Sequence, residues 1–303
     1  MYPSYLNFTI SELKRRKNIA FERMESCRTC PRECQVNRIE DQRGFCRLGK
    51  KAMVSSYHSH FGEEECLVGS QGSGTIFFTC CNLSCIYCQN YEISQLGIGQ
   101  EIEDKDLAEI LLKIQSYGCH NINLVTPTPQ APQILSALLI AIQKGLKLPF
   151  VYNTSGYDSV ETLKILAGIV DIYLPDFKYS DEVLAKKYSF APAYPEIAKK
   201  ALKEMHRQVG DLIIGKDGIA KRGLLVRHLV LPENIAGTKE IVKFLAKEIS
   251  KNTFVNIMDQ YRPYFKANDF PPLDRRITPE EYSKARELAQ KAGLKRIYPP
   301  PDF

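Results

Sequence analysis

From about Thr75 onward, short runs of β-branched and aromatic residues alternate with longer stretches whose apolar residues recur every three to four positions. The first pattern predicts strands, the second predicts helices, and their alternation predicts β/α units around a parallel sheet. The strand candidates are 75–79 (TIFFT), 121–126 (NINLVT), 149–153 (PFVYN), 171–174 (DIYL), 224–231 (LLVRHLVL) and 253–258 (TFVNIM). They are too few to close an eight-stranded barrel. The expected fold class is therefore α/β, as a partial (β/α)6 barrel.

Between these runs, Leu107, Ile110, Leu111 and Ile114 make one helical stripe, with Asp104 or Asp106 as the expected cap. Ile197, Ala201, Leu202, Met205 and Val209 repeat that spacing after Pro195, a residue suited to a first helical turn. Thr278 and Glu281 predict a capping box at the head of a last helix, and the ending YPPPDF reads as an extended strap. The chain divides accordingly into a cysteine-rich N-terminal module and lead-in, 1–74, and a barrel with its C-terminal helix and tail, 75–303.

Composition narrows the class. A chain of 303 residues with 44% hydrophobic and 25% charged residues can bury one large core. No apolar run approaches the roughly 20 residues that span a bilayer. The opening MYPSYLNFTISELKRRK places its charges after its apolar residues, unlike a secretory signal, so a cytoplasmic location is expected. The net charge of +6 is modest, and the densest basic run, Lys14 to Lys17, reads as a solvated helix face. Neither a membrane nor a nucleic-acid partner is expected.

Seven of the ten cysteines crowd into two tight groups, the pattern of metal sites in a reducing compartment rather than of disulfides. Cys81, Cys85 and Cys88 give CxxxCxxC directly after a strand, so three thiolates converge in one loop. Three is the informative number, because a 4Fe-4S cube held by three thiolates keeps one iron open for a ligand from outside the protein. Cys80 offers an alternative register, CxxxxCxxC, with Cys85 and Cys88. Cys27, Cys30, Cys34 and Cys46 form C-x2-C-x3-C-x11-C, a closed set that suits either a structural zinc ion or a second iron-sulfur cluster. His58, His60 and the acidic run Glu63 to Glu65 read as a solvated strand and loop, and Cys66 and Cys119 as buried small residues.

The loop TCCNLSCIYCQN, with Tyr87 before its last cysteine, resembles the cluster loop of the radical S-adenosylmethionine (SAM) superfamily. The resemblance implies a partial barrel of the radical SAM type, a 4Fe-4S cluster on Cys81, Cys85 and Cys88, and SAM chelating the open iron. Reductive cleavage of SAM would then yield a 5'-deoxyadenosyl radical that abstracts a hydrogen atom. Along nearly its whole length the chain is most similar to the pyruvate formate-lyase activating enzymes, especially longer relatives of them.

In that resemblance Asn153-Thr154-Ser155-Gly156 matches an Asp-Thr-Asn-Gly turn near the SAM methionine, and Asp176-Phe177-Lys178 matches an Asp-Leu-Lys. Arg227 and His228 fall on an Arg-Tyr-containing fifth strand, while Thr126-Pro127-Thr128 stands where the activases carry Gly-Gly-Glu. Tyr87, Thr126, Thr128, Asn153, Thr154, Ser155, Asp176, Lys178, Arg227 and His228 are thus the expected cofactor-binding residues. The implied partners are an electron donor such as flavodoxin or ferredoxin and a glycyl-radical enzyme or other protein substrate. Another peptide, an RNA or a small molecule is the alternative target of the radical. A non-catalytic metal-binding interaction protein is the reading of a different class. Tyr261, Arg262 and Tyr264 serve equally well as substrate contacts or as a loop lock.

Overall fold

The computed structural model describes residues 2–300. Along the chain run α1 (Ile10–Glu25), β1 (Ala52–His60), α2 (Glu65–Val68), β2 (Ser73–Phe78), α3 (Tyr91–Ser94), β3 (Gln100–Ile102) and α4 (Asp104–Ser116). They are followed by β4 (Ile122–Val125), α5 (Ala131–Gln143), β5 (Phe150–Thr154), α6 (Val160–Ile165), β6 (Ile172–Pro175), α7 (Glu182–Ser189) and α8 (Tyr194–Val209). Last come β7 (Ile213–Ile214), β8 (Ala220–Leu229), α9 (Thr238–Phe244), β9 (Phe254–Met258), α10 (Pro279–Lys291) and β10 (Arg296–Tyr298).

The strands form one open sheet in the order β10-β9-β8-β6-β5-β4-β2-β1-β3, with β7 paired to β8. All six expected strands are present and run parallel, as alternating βα connections require. Four further strands join these six: β1, which contains the strand expected around His58 and His60, and β3, β7 and β10, which the sequence pattern did not announce. Strand β1 pairs antiparallel with β2, and β10, the start of the proline-rich ending, adds a parallel edge to β9. The last three residues of that ending lie outside the described residues. Helix α1 packs on α5, so the residues before Gly74 share both sheet and core with those after it.

Register sorts the side chains onto two faces. Ile76, Leu124, Tyr152, Tyr173, Val226 and Ile257 point toward the helices and are buried with Leu111, Leu138, Leu202 and Ile241 in one large core. Burial of each such side chain is worth about 1.5–3 kcal/mol, which seats the helices on the sheet. The opposite face carries Phe77, Val125 and Asn153 in register, then Asp176, Arg227 and Asn256 in register. These are half-buried, because the short helix α2 covers only part of this side. Its floor is filled by Cys66 and Leu67 of α2, packed with Val151, Ile172, Leu174 and Leu225.

Local chemistry explains two helix starts. Thr278 and Glu281 make the expected capping box. At α4 the cap is Glu103 rather than Asp104 or Asp106, and the Asp106 carboxylate instead accepts the Glu103 N–H at 3.1 Å. Among the described residues no helix is long and apolar enough to cross a membrane.

Candidate functional site

The loop after β2 is held by four segments distant in sequence. Ser84 and Ile86 donate their N–H groups to the carbonyls of Ser189 and Tyr188 at the end of α7, and the Lys266 N–H donates to the Ile86 carbonyl. The Asn82 side chain donates to the Tyr157 carbonyl at 2.7 Å, while Arg32 of the N-terminal region donates to the carbonyls of Asn82 and Phe190. Such fixation matters because cluster ligands on a free loop would lose the entropy of ordering at every binding event.

Cys80 and Cys81 part company at this point. Cys80 takes a left-handed backbone, φ 70°, and its side chain is buried with Cys46, Leu48 and Met53, beside Arg47. Cys81 turns the other way, toward Cys85 and Cys88. The left-handed conformation costs a non-glycine residue of order 1 kcal/mol or more, and here it points adjacent thiols to opposite sides. Cys81, Cys85 and Cys88 are therefore the set that one loop brings together.

None of the three is in a disulfide. Burial and the neighbouring Cys85 push the Cys81 thiol up, and burial pushes Cys85 up to about 11 against the pull of the Lys178 ammonium. The Ser189 hydroxyl donates to the Cys85 sulfur at 3.0 Å, the Leu83 N–H donates to Cys81 at 3.3 Å, and Ser94 Oγ lies 3.2 Å from the Cys88 sulfur. Crowded thiols resist ionising together unless a cation replaces their protons, and donors already aimed at the sulfurs suit thiolates. The donor set fits an iron-sulfur cluster.

Around these thiols, Thr126, Asn153, Ser155, Asp176 and Lys178 come to the C-terminal ends of β4, β5 and β6, and all are half-buried. Lys178 Nζ lies 2.5 Å from Asp176 Oδ2. Burial works against the Lys178 charge, but Asp176 and the Cys85 thiol outweigh it and hold the group well above the usual lysine range. Tyr194 fixes the two turns to each other, donating to the Ser155 carbonyl at 2.8 Å and accepting the Lys178 N–H at 2.9 Å. Gly156, φ 76°, has no alternative there, since a Cβ would sit 2.3 Å from the Asp176 carbonyl oxygen.

Five of the expected residues are placed differently. Thr128 and Thr154 are buried, and both hydroxyls donate to Asp158, at 2.7 and 2.6 Å. Tyr87 is buried against Tyr261, its hydroxyl 2.7 Å from that of Tyr179. His228 is inaccessible: Nδ1 lies 2.9 Å from the Phe177 carbonyl and Nε2 lies 2.9 Å from Thr238 Oγ1. A carbonyl only accepts, so the proton sits on Nδ1, and both nitrogens are used within the fold. Burial holds this imidazole down at about 4, neutral at ordinary pH.

Arg227 pairs with Glu63 and, through two hydrogen bonds of 2.8 and 2.7 Å, with Glu64. Asn256 donates to Glu64, and Asn123 to Glu63. The expectation of a solvated acidic loop thus fails for Glu63 and Glu64, because the polar side chains on the concave face draw them inward. His58 and Glu65 do remain exposed. Asp158 was missed; an aspartate closing a turn carries no periodic signal in the sequence. Tyr261 is a lock, donating to the Leu273 carbonyl at 2.6 Å, whereas Arg262 and Tyr264 are exposed.

An open parallel β/α sheet whose first strand ends in a three-thiol loop, with polar turns gathered at the same end, defines a class of cluster-bearing barrel enzymes. Residues 75–245 match the Radical SAM superfamily, and the chain belongs to that superfamily. As a member of that superfamily, its cofactors are a 4Fe-4S cluster and SAM.

An uncharacterised protein of Methanocaldococcus jannaschii is 36% identical over 288 residues, covering 92% of this chain and 79% of that protein. Among solved structures, anSMEcpe with bound AdoMet aligns at TM-score 0.50 and 10% identity, over 73% of this chain and 61% of that one, a likeness of fold. A domain of a pyruvate-formate lyase-activating enzyme from Bacteroides vulgatus aligns at TM-score 0.37 and 14% identity, over 64% and 90% of the two chains.

Proposed function

We propose that this enzyme cleaves SAM at a cluster on Cys81, Cys85 and Cys88 and directs the resulting radical at a polypeptide, with a backbone glycine of a partner enzyme as the favoured target. When bound, cluster and SAM supply one-electron cleavage of the sulfonium to a 5'-deoxyadenosyl radical. Cys81, Cys85 and Cys88 hold the cluster, and Thr126, Asn153, Ser155, Asp176 and Lys178 line the SAM side. Thr128, Thr154, Tyr87, Arg227 and His228 act one layer behind, fixing strands and turns.

The observation that carries this reading is the half-buried concave face. Phe77, Val125, Asn153, Leu229 and Met258 on that face are half-buried, whereas the other face of the same strands is sealed. A face left only half-covered leaves room for a chain segment, which supports a polypeptide over a small molecule. A low-potential donor of the flavodoxin or ferredoxin kind supplies the electron, and free thiols throughout the described chain suit a cytoplasmic setting.

The test is anaerobic. With the reconstituted enzyme, dithionite and SAM, 5'-deoxyadenosine should form, and with a co-encoded glycyl-radical partner a glycyl doublet should appear by electron paramagnetic resonance. Deoxyadenosine without a doublet for any co-encoded partner would remove the glycine target. Absence of both from a folded, iron-loaded sample would remove the catalytic reading.

A further inference from the structure

Three large apolar side chains that stay in water border the cluster loop: Phe45 is 39% exposed, Leu96 57% and Phe190 52%. Contacts join the segments that carry them into a collar. The Arg32 guanidinium carbon lies 3.6 Å from the centre of the Phe45 aromatic ring, and the same side chain donates to the Phe190 carbonyl. Ser84 donates its N–H to the Ser189 carbonyl and its hydroxyl to Gln95 Oε1 at 2.6 Å, beside Leu96. Arg47 Nη2 donates to the Ser94 carbonyl at 3.5 Å, and a Cβ on Gly97 would stand 3.8 Å from that nitrogen. Arg47 is two residues from Phe45, which closes the collar. The four N-terminal cysteines, Cys27, Cys30, Cys34 and Cys46, line one small cavity in the segment that carries Phe45, whose N–H donates to the Cys34 sulfur at 3.4 Å.

The collar reaches the ligand sulfurs directly. Phe190 follows Ser189, whose hydroxyl donates to the Cys85 sulfur at 3.0 Å. Leu96 stands two residues after Ser94, whose Oγ lies 3.2 Å from the Cys88 sulfur and whose carbonyl accepts the Cys81 N–H. Each of these two surface residues is thus within a few bonds of a hydrogen bond to a sulfur. They belong to α7 and to the turn after α3, whereas the SAM side is lined from the ends of β4, β5 and β6. An electron can enter across the collar without passing through the SAM side.

Charge selects the visitor. The segments of the collar carry Arg32, Arg47, Lys186 and Lys187 against Glu33 and Glu92. The acidic start of α7 is already engaged, Asp181 accepting the Leu184 N–H and Glu182 the Ala193 N–H. A small apolar patch among cations suits a brief encounter with an acidic protein, because the charges speed association while the limited contact area lets the partner leave.

We propose that the collar around Phe45, Leu96 and Phe190 is the docking surface of a small acidic electron carrier, with Ser94 and Ser189 linking it to the cluster. The proposal rests on the reading that a cluster on Cys81, Cys85 and Cys88 is reduced in order to cleave SAM. One electron moves, the carrier being oxidised and the cluster reduced, and no bond forms or breaks at the collar.

The experiment compares two reductants on full-length reconstituted enzyme with SAM, reading 5'-deoxyadenosine: flavodoxin kept reduced by NADPH and its reductase, and dithionite, which needs no docking surface. Raising salt from about 50 to about 300 mM should slow the flavodoxin-driven rate about fivefold or more and leave the dithionite-driven rate within about twofold. Leu96→Asp and Lys186→Glu/Lys187→Glu should each cut the flavodoxin-driven rate about tenfold, again with dithionite within about twofold. Independently of turnover, carbodiimide coupling of oxidised flavodoxin to wild type should join its carboxylates to Lys186 or Lys187, as read by mass spectrometry. Cross-links confined to other lysines would overturn the proposal. So would variants that lose both rates in parallel, a flavodoxin-driven rate that neither salt nor variant changes, or turnover with dithionite and none with flavodoxin. A dimer in gel filtration that Leu96→Asp dissolves would assign the collar to a second copy of the chain instead. No deoxyadenosine even with dithionite would remove the cleavage reading itself, a result distinct from loss of the flavodoxin-driven rate alone.

Discussion

Removing Arg227 should destabilise the protein through two carboxylates that it leaves behind. Glu64 is 1% exposed at its side chain and Glu63 8%, and Arg227 itself is 14% exposed. Burial works to raise Glu64, yet Arg227 outweighs it and holds this carboxyl below the usual range. In Arg227→Met the hydrophobic volume is largely kept, but the charged donor is gone and the neutral donors Asn256, Asn123 and the Glu64 backbone N–H are left to two buried negative charges. Breaking a buried pair from one side costs about 3–5 kcal/mol, which in a chain of this size lowers Tm on the order of 10 °C. The triple variant Glu63→Gln/Glu64→Gln/Arg227→Met buries no charge and should recover most of the loss.

Anaerobic urea unfolding followed by far-ultraviolet circular dichroism measures both variants. The pH response supplies the sign. In wild type, the stabilisation from Glu64 is present above the unfolded carboxyl range near 4.3 and is lost on acidification below it. In Arg227→Met burial should raise the folded pKa of the unpaired Glu64, so the variant's deficit should shrink as pH falls toward the unfolded carboxyl range. A cost below about 1 kcal/mol for Arg227→Met, or a triple variant as unstable as the single, would refute the reasoning.

Asp158, buried among Thr128, Thr154 and Tyr152, is pushed up to about 6 by burial. Folding therefore takes up a proton between about pH 4 and 6; stability should fall by about 3 kcal/mol as pH rises through that window, and Asp158→Asn should flatten the slope. Cys85→Ala should abolish the SAM-responsive cluster signal while Cys80→Ala preserves it; the opposite result for Cys80 and Cys81 would show that the ligand register is shifted. Ser189→Ala removes a donor to the Cys85 sulfur, worth about 1 kcal/mol, and should lower the potential of that cluster by about 40 mV in a redox titration. An unchanged potential would mean that the hydroxyl does not reach the thiolate.

The barrel strands and the three-thiol loop were legible in the sequence because each depends on short-range order. An apolar run such as TIFFT has one favourable use in a sheet buried under helices, and CxxxCxxC confines its sulfurs to one loop whatever surrounds them. Three decisions belong to the tertiary structure. The backbone at Cys80 turns left-handed because the N-terminal segment offers that side chain a buried place beside Cys46, and this settles which of two adjacent cysteines faces Cys85.

Glu63 and Glu64 leave water because Arg227, Asn123 and Asn256, dozens of residues further along the chain, converge on the concave face. Thr128, Thr154 and His228 stand on turns and strands that resemble cofactor contacts, but the folded turns bring Asp158 onto both threonines and Thr238 onto His228, and these partners claim their hydrogen bonds first. Spacing along the chain specifies which groups can meet locally. Which of a buried polar group's possible partners it takes depends on what long-range folding brings within about 3 Å of it, and no local pattern records that.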